Sequence, residues 1–488
     1  MANNREQWNG LLAELQSRHD QAEQMGGPDK VAAHKARGHL TARERLEYLF
    51  DTGSFNEIGA LAGMSHPAGH PPLAGDSLVG GIGRINGMSA VAMAEDFTTK
   101  GGSIGHANAA KRSRLVRLAA EQKLPLVLML EGAGERVGNN TERYPNVPND
   151  LQLVADLKGQ VPVITLVLGA SAGHGALTGM FADFIIMRQD AALFTAGPPL
   201  VALSLGLDVS AEDLGGVRVH AYDSGVVHNV AATDQDAIDQ AKRYLAFLNP
   251  DSVQRSEGSY SQQTSEALLD IISPQGNTPY DMRSVIQTLV DNGDFFELQP
   301  FYGRAILLGL ARVAGQAVMV MANQPMVLAG SIDTAAAQKA AHFIEVADQL
   351  SLPLISLIDN PGVLPGPQSE KAGILKAAGR MFYAQRRFRG KKIVVTLRKA
   401  YGFGSSVMGM NPWDKQAISL ALPSVSLGGV PAIGSSAVAK LNETESQRIQ
   451  DIESGAWVPA DSMAFDKIVD PRNLRAELIA ALEVDNSP

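Results

Sequence analysis

The chain repeats itself, and a repeat this long limits the folds open to it more than any other feature. Gly102-Ser103-Ile104, Lys111 and Leu124-Pro125-Leu126 return as Gly330-Ser331-Ile332, Lys339 and Leu352-Pro353-Leu354, at constant spacing (330 − 102 = 228). Arg84, Gly87 and Met93 return without a gap as Arg312, Gly315 and Met321. Solenoid units run to roughly 20–50 residues, so this is a duplicated domain instead. A doubled fold supplies two similar loop sites, which is what transfer of a group between two substrates requires. The 488 residues divide accordingly into residues 1–248, a linker over 249–279 rich in Ser, Gln, Asn and Pro, and residues 280–488.

Within each half, short apolar runs flank a helical stretch. In the first, strands are expected at 89–94, 124–130 and 161–168 with a helix over 105–122; in the second, strands at 317–322, 354–358 and 393–397 with a helix over 333–350. Continuous apolar runs joined by helices predict an α/β fold with buried, mostly parallel strands. Residues 1–50 read as helical, with Thr41 as the N-cap of a helix opening at Ala42. A Gly/Pro-rich loop covers 62–76.

Composition narrows the chemistry. A net charge of −9 with both signs interspersed gives no basic stripe for nucleic acid. The absence of cysteine excludes disulfides, thiolate catalysis and thiolate-bound metals. No clustered His or carboxylate motif points to a metal. No apolar run is long enough to span a bilayer and no signal peptide is visible, so a cytoplasmic protein is expected.

Two strands in each half end in a Gly-rich loop: Glu131-Gly132-Ala133-Gly134-Glu135-Arg136 and Gly169 to Gly175 in the first, Asp359 to Gly366 and Tyr401-Gly402-Phe403-Gly404-Ser405 in the second. Such loops present consecutive backbone N–H groups to a ligand, and ligand sites of α/β sheets gather at strand carboxyl ends. Gly169-Ala170-Ser171-Ala172-Gly173 also fits the nucleophile-elbow pattern, with His220 and His228 downstream. A serine hydrolase using Ser171 is therefore a competing reading, although the second half has Ala400 at the matching place. Lys35 and Arg37 are candidates for phosphate contacts or for a solvated helix face.

Further motifs carry a family resemblance. They are Leu40-Thr41-Ala42-Arg43-Glu44-Arg45, Gly83-Arg84-Ile85-Asn86-Gly87, Asp96-Phe97-Thr98, Glu212-Asp213-Leu214-Gly215-Gly216, Asn323-Gln324-Pro325, Pro361-Gly362 and Arg398-Lys399-Ala400-Tyr401-Gly402. The chain resembles the carboxyltransferase (β) subunits of biotin-dependent acyl-CoA carboxylases of the propionyl-CoA carboxylase type. The resemblance implies two tandem crotonase-like domains (ClpP/crotonase superfamily) and a hexamer built as a trimer of dimers. It implies biotin on a separate carrier protein, a biotin carboxylase partner and a coenzyme A thioester as substrate. Carboxybiotin would release CO2, the biotin anion would take the α-proton, and the thioester enolate would attack CO2. Backbone oxyanion holes carried over by position fall at Ala133 and Gly134, and at Phe403 and Gly404. Gly102, Ser103, Gly173, His174, Gly362, Gly366, Tyr401 and Ser406 would line the substrate.

The sequence departs from the family where substrates meet it. His174 stands at the last glycine of a usual Cys-Ala-Gly-Gly, Phe403 at a glycine, and Ser406 at an acyl-pocket aspartate. An acyl-CoA decarboxylase running the same chemistry backwards and a non-catalytic subunit of the same fold are the remaining readings.

Overall fold

A computed structural model describes residues 4–63, 73–137, 149–249, 263–411, 413–429, 442–446, 448 and 455–484. The chain forms two compact units, Met1–Ala246 and Phe247–Pro488. Among the described residues no helix is long and apolar enough to cross a membrane.

The first unit opens with helices Asn4–Glu23, Pro28–Ala36 and Ala42–Leu49. Thr41 caps the third: its side chain accepts from the Glu44 N–H while Glu44 accepts from the Thr41 N–H. Strands β1 (Asn56–Glu57), β2 (Leu78–Ile85), β3 (Met88–Glu95), β4 (Leu126–Leu130), β5 (Val163–Val167), β6 (Ala170–Ala172), β7 (Phe184–Arg188), β8 (Ala192–Phe194) and β9 (Asn229–Ala231) follow. They make a seven-stranded sheet, β1-β2-β3-β4-β5-β7-β9, and a small β6-β8 pair. β4 and β5 are buried at every position, with Thr165 the one polar residue, because both faces are covered. Helix His106–Gln122 packs Leu115, Val116 and Ala119 into this core.

The second unit repeats the plan with β10 (Phe295–Leu298), β11 (Ile306–Val313), β12 (Gln316–Asn323), β13 (Leu354–Asn360), β14 (Lys392–Tyr401), β15 (Ile418–Ala421), β16 (Ser426–Gly428) and β17 (Lys467–Ile468). The sheet order is β10-β11-β12-β13-β14-β15-β17, with β16 on β14. Helix Thr334–Gln349 takes the place of His106–Gln122.

Most strand pairs are parallel, as expected, but β1-β2-β3 and β10-β11-β12 are antiparallel, so the sheets are mixed. The glycines of β2 hid that strand, yet they are what lets it form. A Cβ on Gly81 would stand 2.0 Å from Asn56 O, and one on Gly83 2.5 Å from the Phe50 ring. The stretch read as a linker is also only partly one. Residues 250–262 lie outside the described residues, but Leu268 and Ile272 are buried in the second core. Of the Gly/Pro-rich loop, 64–72 lie outside the described residues.

Candidate active site

The two units build the same loop frame from different side chains. In the first, the acid that ends β4 donates its N–H to Glu95 Oε2 (Glu131 N, 2.7 Å). In the second, Asp359 N–H donates to Asn323 Oδ1 (3.1 Å). Gly102 and Gly330, at positive φ, let a neighbouring loop close on those acids: a Cβ at either would stand 2.3 Å from Glu131 O or Asp359 O. Ile104 N–H then bonds Gly134 O (2.8 Å), and Ile332 N–H bonds Gly362 O (3.1 Å).

This frame corrects the donor assignment in the first unit. The Ala133 N–H already donates to Gly101 O (3.0 Å), so its one proton is unavailable to an oxyanion. The same place in the second unit is Pro361, which has no N–H. Gly134 N–H has no acceptor among the described residues, whereas Gly362 N–H donates to Asn360 Oδ1 (3.0 Å). Phe403 and Gly404 lie in the first turn of helix Gly402–Val407, which begins without a side-chain cap, so these amides have no intrahelical acceptor. The counterpart of that turn is helix Gly173–Gly179, also uncapped. Its His174 and Gly175 stand where Phe403 and Gly404 stand in the second unit. Gly173 and Gly402 share a positive φ, 59° and 49°.

The other expected site residues scatter in role. Ser103 is buried and taken up by structure: Oγ donates to Lys100 O (2.8 Å) and accepts from Arg136 Nε (3.1 Å). Gly366 is exposed at the start of helix Pro367–Lys371. Tyr401 is buried with its hydroxyl 2.5 Å from Ser426 Oγ. Ser406 is half-buried, Oγ donating to Asn411 Oδ1 (3.3 Å). Lys35 pairs with Glu44 (2.6 Å), and Arg37 lies over the Phe97 ring.

The hydrolase reading fails on geometry. Ser171 lies in β6, is fully buried, and its Oγ has no partner. His220 bonds Leu193 O and Ser224, and His228 accepts from Ile185 N–H. Neither histidine serves Ser171, and no substrate carbonyl can reach it.

A buried charge network that the sequence did not announce underlies the first loop. Arg45 pairs with Glu131 (2.7 Å) and Asp234 (2.8 Å), and Arg188 pairs with Asp234 (2.7 Å). Burial pushes Glu131 up to about 7 against the pull of Arg45. The second unit pins its equivalent acid with an arginine from another element, Arg398 Nε to Asp359 Oδ2 (2.8 Å). The acids at a common repeat position were the available signal. The arginines had none, because they come from unrelated places in sequence.

His34, His39 and Glu131 bring ligand atoms within 4.8 Å of one another. Three guanidiniums occupy this neighbourhood: Arg45 holds Glu131 Oε2, Arg188 donates to His39 Nδ1 (2.8 Å), and Arg37 donates to His34 Nδ1 (3.4 Å). The cluster is an ion-pair network rather than a cation cradle. Burial and then the Arg188 charge push His39 down to about 4. The unfolded chain protonates it near 6.5, so the stability tied to this group is full above about pH 6.5 and is lost as pH falls toward 4. Discounted for residual solvent screening, the contribution is about 2 kcal/mol. In urea unfolding at pH 7 and pH 4.5, His39→Gln is expected to lose less stability than the unmodified chain by that amount. Equal losses would contradict it.

Comparison with known proteins places this arrangement. Residues 33–487 match the carboxyl transferase domain family. The methylmalonyl-CoA decarboxylase subunit alpha of Veillonella parvula is 33% identical over 470 residues, covering 94% of this chain and 92% of that protein. The propionyl-CoA carboxylase beta chain of Saccharopolyspora erythraea is 32% identical, covering 97% and 93%. Among solved structures, hexameric transcarboxylase 12S with hydrolysed methylmalonyl-coenzyme A bound superposes with a TM-score of 0.90 at 31% identity, covering 99% of this chain and 97% of that one. A doubled α/β frame, repeated strand-end loops and a match over nearly the whole length have one reading: the chain belongs to the carboxyl transferase domain family.

Proposed function

We propose that this chain is the carboxyltransferase component of a biotin-dependent acyl-CoA enzyme, moving a carboxyl group between carboxybiotin on a separate carrier protein and the α-carbon of a short acyl-CoA. The observation that carries this reading is the pair of uncapped helix starts, at His174–Gly175 and at Phe403–Gly404, repeated in a chain of this family. Thioester and urea-type oxygens are both hydrogen-bond acceptors, so a donor set made of main-chain amides suits both reactants. Carboxybiotin, when bound, supplies the carboxyl group. The chain's own part is to hold the thioester oxygen. A well-placed N–H donor lowers the barrier to enolate formation by about 3–4 kcal/mol. The same donors serve carboxylation and decarboxylation, since both pass through one enolate.

A biotin carboxylase and a biotinylated carrier are the implied partners, with assembly into a hexamer in the cytoplasm. Ser406, in place of the family's acyl-pocket aspartate, gives that pocket a neutral wall. The test is a transfer assay with carboxylated carrier protein and acetyl-, propionyl- and butyryl-CoA, followed in both directions. Carboxyl transfer to at least one acyl-CoA is expected. Absence of turnover with all three, in either direction, would overturn the reading in favour of a non-catalytic subunit.

A further inference from the structure

His174 replaces a family glycine with a side chain that can carry a proton, and the structure surrounds that side chain as a base is surrounded. Nε2 lies 2.6 Å from Asp150 Oδ1. Asp150 is buried and is itself held by Arg112, Nη1 to Oδ2 at 3.6 Å. Arg112 is fixed in turn by Asn108 (2.8 Å) and by Glu95. Burial works to raise the Asp150 pKa, but the His174 hydrogen bond and the Arg112 charge outweigh it and hold the carboxyl below its ordinary value. An ionised Asp150 requires a proton on Nε2, which leaves the neutral ring's lone pair on Nδ1. Nδ1 stands 3.8 Å from Glu135 Oε2, in the loop that carries Gly134. Gly134 packs against the strand end just before His174: a Cβ there would stand 2.7 Å from Ala172 O. The imidazole is about one-sixth exposed, between that loop and its own helix.

The second unit is an internal control on whether this pair is mere scaffolding. Its equivalent helix start carries Phe403, half-exposed, a side chain that can neither take up nor release a proton. The frame therefore forms without a His–Asp pair at this place. Structural need does not account for His174 and Asp150 together.

We propose that His174, in place of the biotin anion that the resemblance implies, is a catalytic base that removes and returns the α-proton of the acyl thioester, with Asp150 as its positioning residue. The inference rests on the acyl-CoA reading of the site given above. Nδ1 takes the proton from Cα. The C–H electron pair becomes the Cα=C bond of the enolate, and the carbonyl π pair moves to the thioester oxygen. The imidazolium so formed is balanced by Asp150 and by the Glu135 carboxylate. The Nδ1 proton exchanges with solvent water, and return of a proton from Nδ1 to Cα restores the thioester. No reactant besides water enters, so proton exchange does not depend on carboxybiotin.

That independence supplies the test. The whole protein is incubated with propionyl-CoA in D2O, without biotin or carrier, and α-deuterium is followed by mass spectrometry, with propionyl-CoA affinity measured in parallel by calorimetry. Exchange by the unmodified protein is expected. His174→Gln, which keeps a donor toward Asp150 but has no basic nitrogen, should lose it by about 10²–10⁴-fold at unchanged affinity. Asp150→Asn should lose at least about tenfold, again without a change in affinity, a split that a purely structural role would not produce. Propionyl-CoA bound without exchange, or His174→Gln exchanging at the original rate, would overturn the proposal and leave the carboxyltransferase reading standing. No binding of propionyl-CoA at all would instead overturn that reading, and this proposal with it.

Discussion

Arg45→Met is expected to destabilise the first unit by about 3–5 kcal/mol. Arg45 is fully buried and is shared by Glu131 and Asp234. Methionine fills much of the same space, so the loss is electrostatic rather than a cavity. Asp234 keeps Arg188 at 2.7 Å, but Glu131 loses the guanidinium that pairs with it directly, leaving His34 at 3.7 Å and the weaker pull of the Arg37 charge. Burial already pushes Glu131 up to about 7, so without Arg45 it must protonate or remain a buried anion with little compensation. Adding Glu131→Gln to the Arg45→Met chain should therefore recover part of the loss, because a neutral amide needs no counter-charge. Urea unfolding of the two single variants and the double variant measures the coupling. Strict additivity would show that the pair is not what holds the loop.

The second large effect is on catalysis. Gly404→Ala places a Cβ 2.2 Å from Asn360 Oδ1 and 2.6 Å from Gly362 Cα. The side chain of Asn360 can turn aside, but the Gly362 backbone cannot, so the helix start must move. Displacing donor amides by even about 1 Å costs on the order of 10²-fold, and loss of a donor costs 10²–10³-fold. The carboxyl-transfer kcat should fall by about that range with little change in KM. Gly379→Ala serves as the comparison: it lies within helix Ile374–Arg387 and its added Cβ meets nothing within 4 Å. It should leave kcat intact and gain up to about 1 kcal/mol from helix propensity. A Gly404→Ala enzyme with full kcat would remove that turn from the oxyanion site.

Much of the architecture could be read directly. The expected strand over 89–94 is β3 (Met88–Glu95), and that over 317–322 is β12 (Gln316–Asn323). The helices expected over 105–122 and 333–350 form as His106–Gln122 and Thr334–Gln349. Periodicity works there because these elements bury both faces or one stripe in a core. It missed β2, whose Gly80, Gly81 and Gly83 look like turn residues until their neighbours' close approach is seen. It also read as linker the stretch that brings Leu268 and Ile272 into the second core.

The sequence by itself determined the duplication, the α/β class, the family and the Gly-rich loops at strand ends, because all of these are written in spacing and in residue type. Tertiary structure alone decided which amides are free. Ala133 looked like a donor until its N–H was found on Gly101 O, and Ser171 looked like a nucleophile until it proved buried and unpaired. It alone joined Asp150 to His174 and Arg45 to Glu131. The reason is physical. A hydrogen bond or an ion pair depends on distances of about 3 Å between groups brought together by folding, and spacing along a chain does not encode those distances.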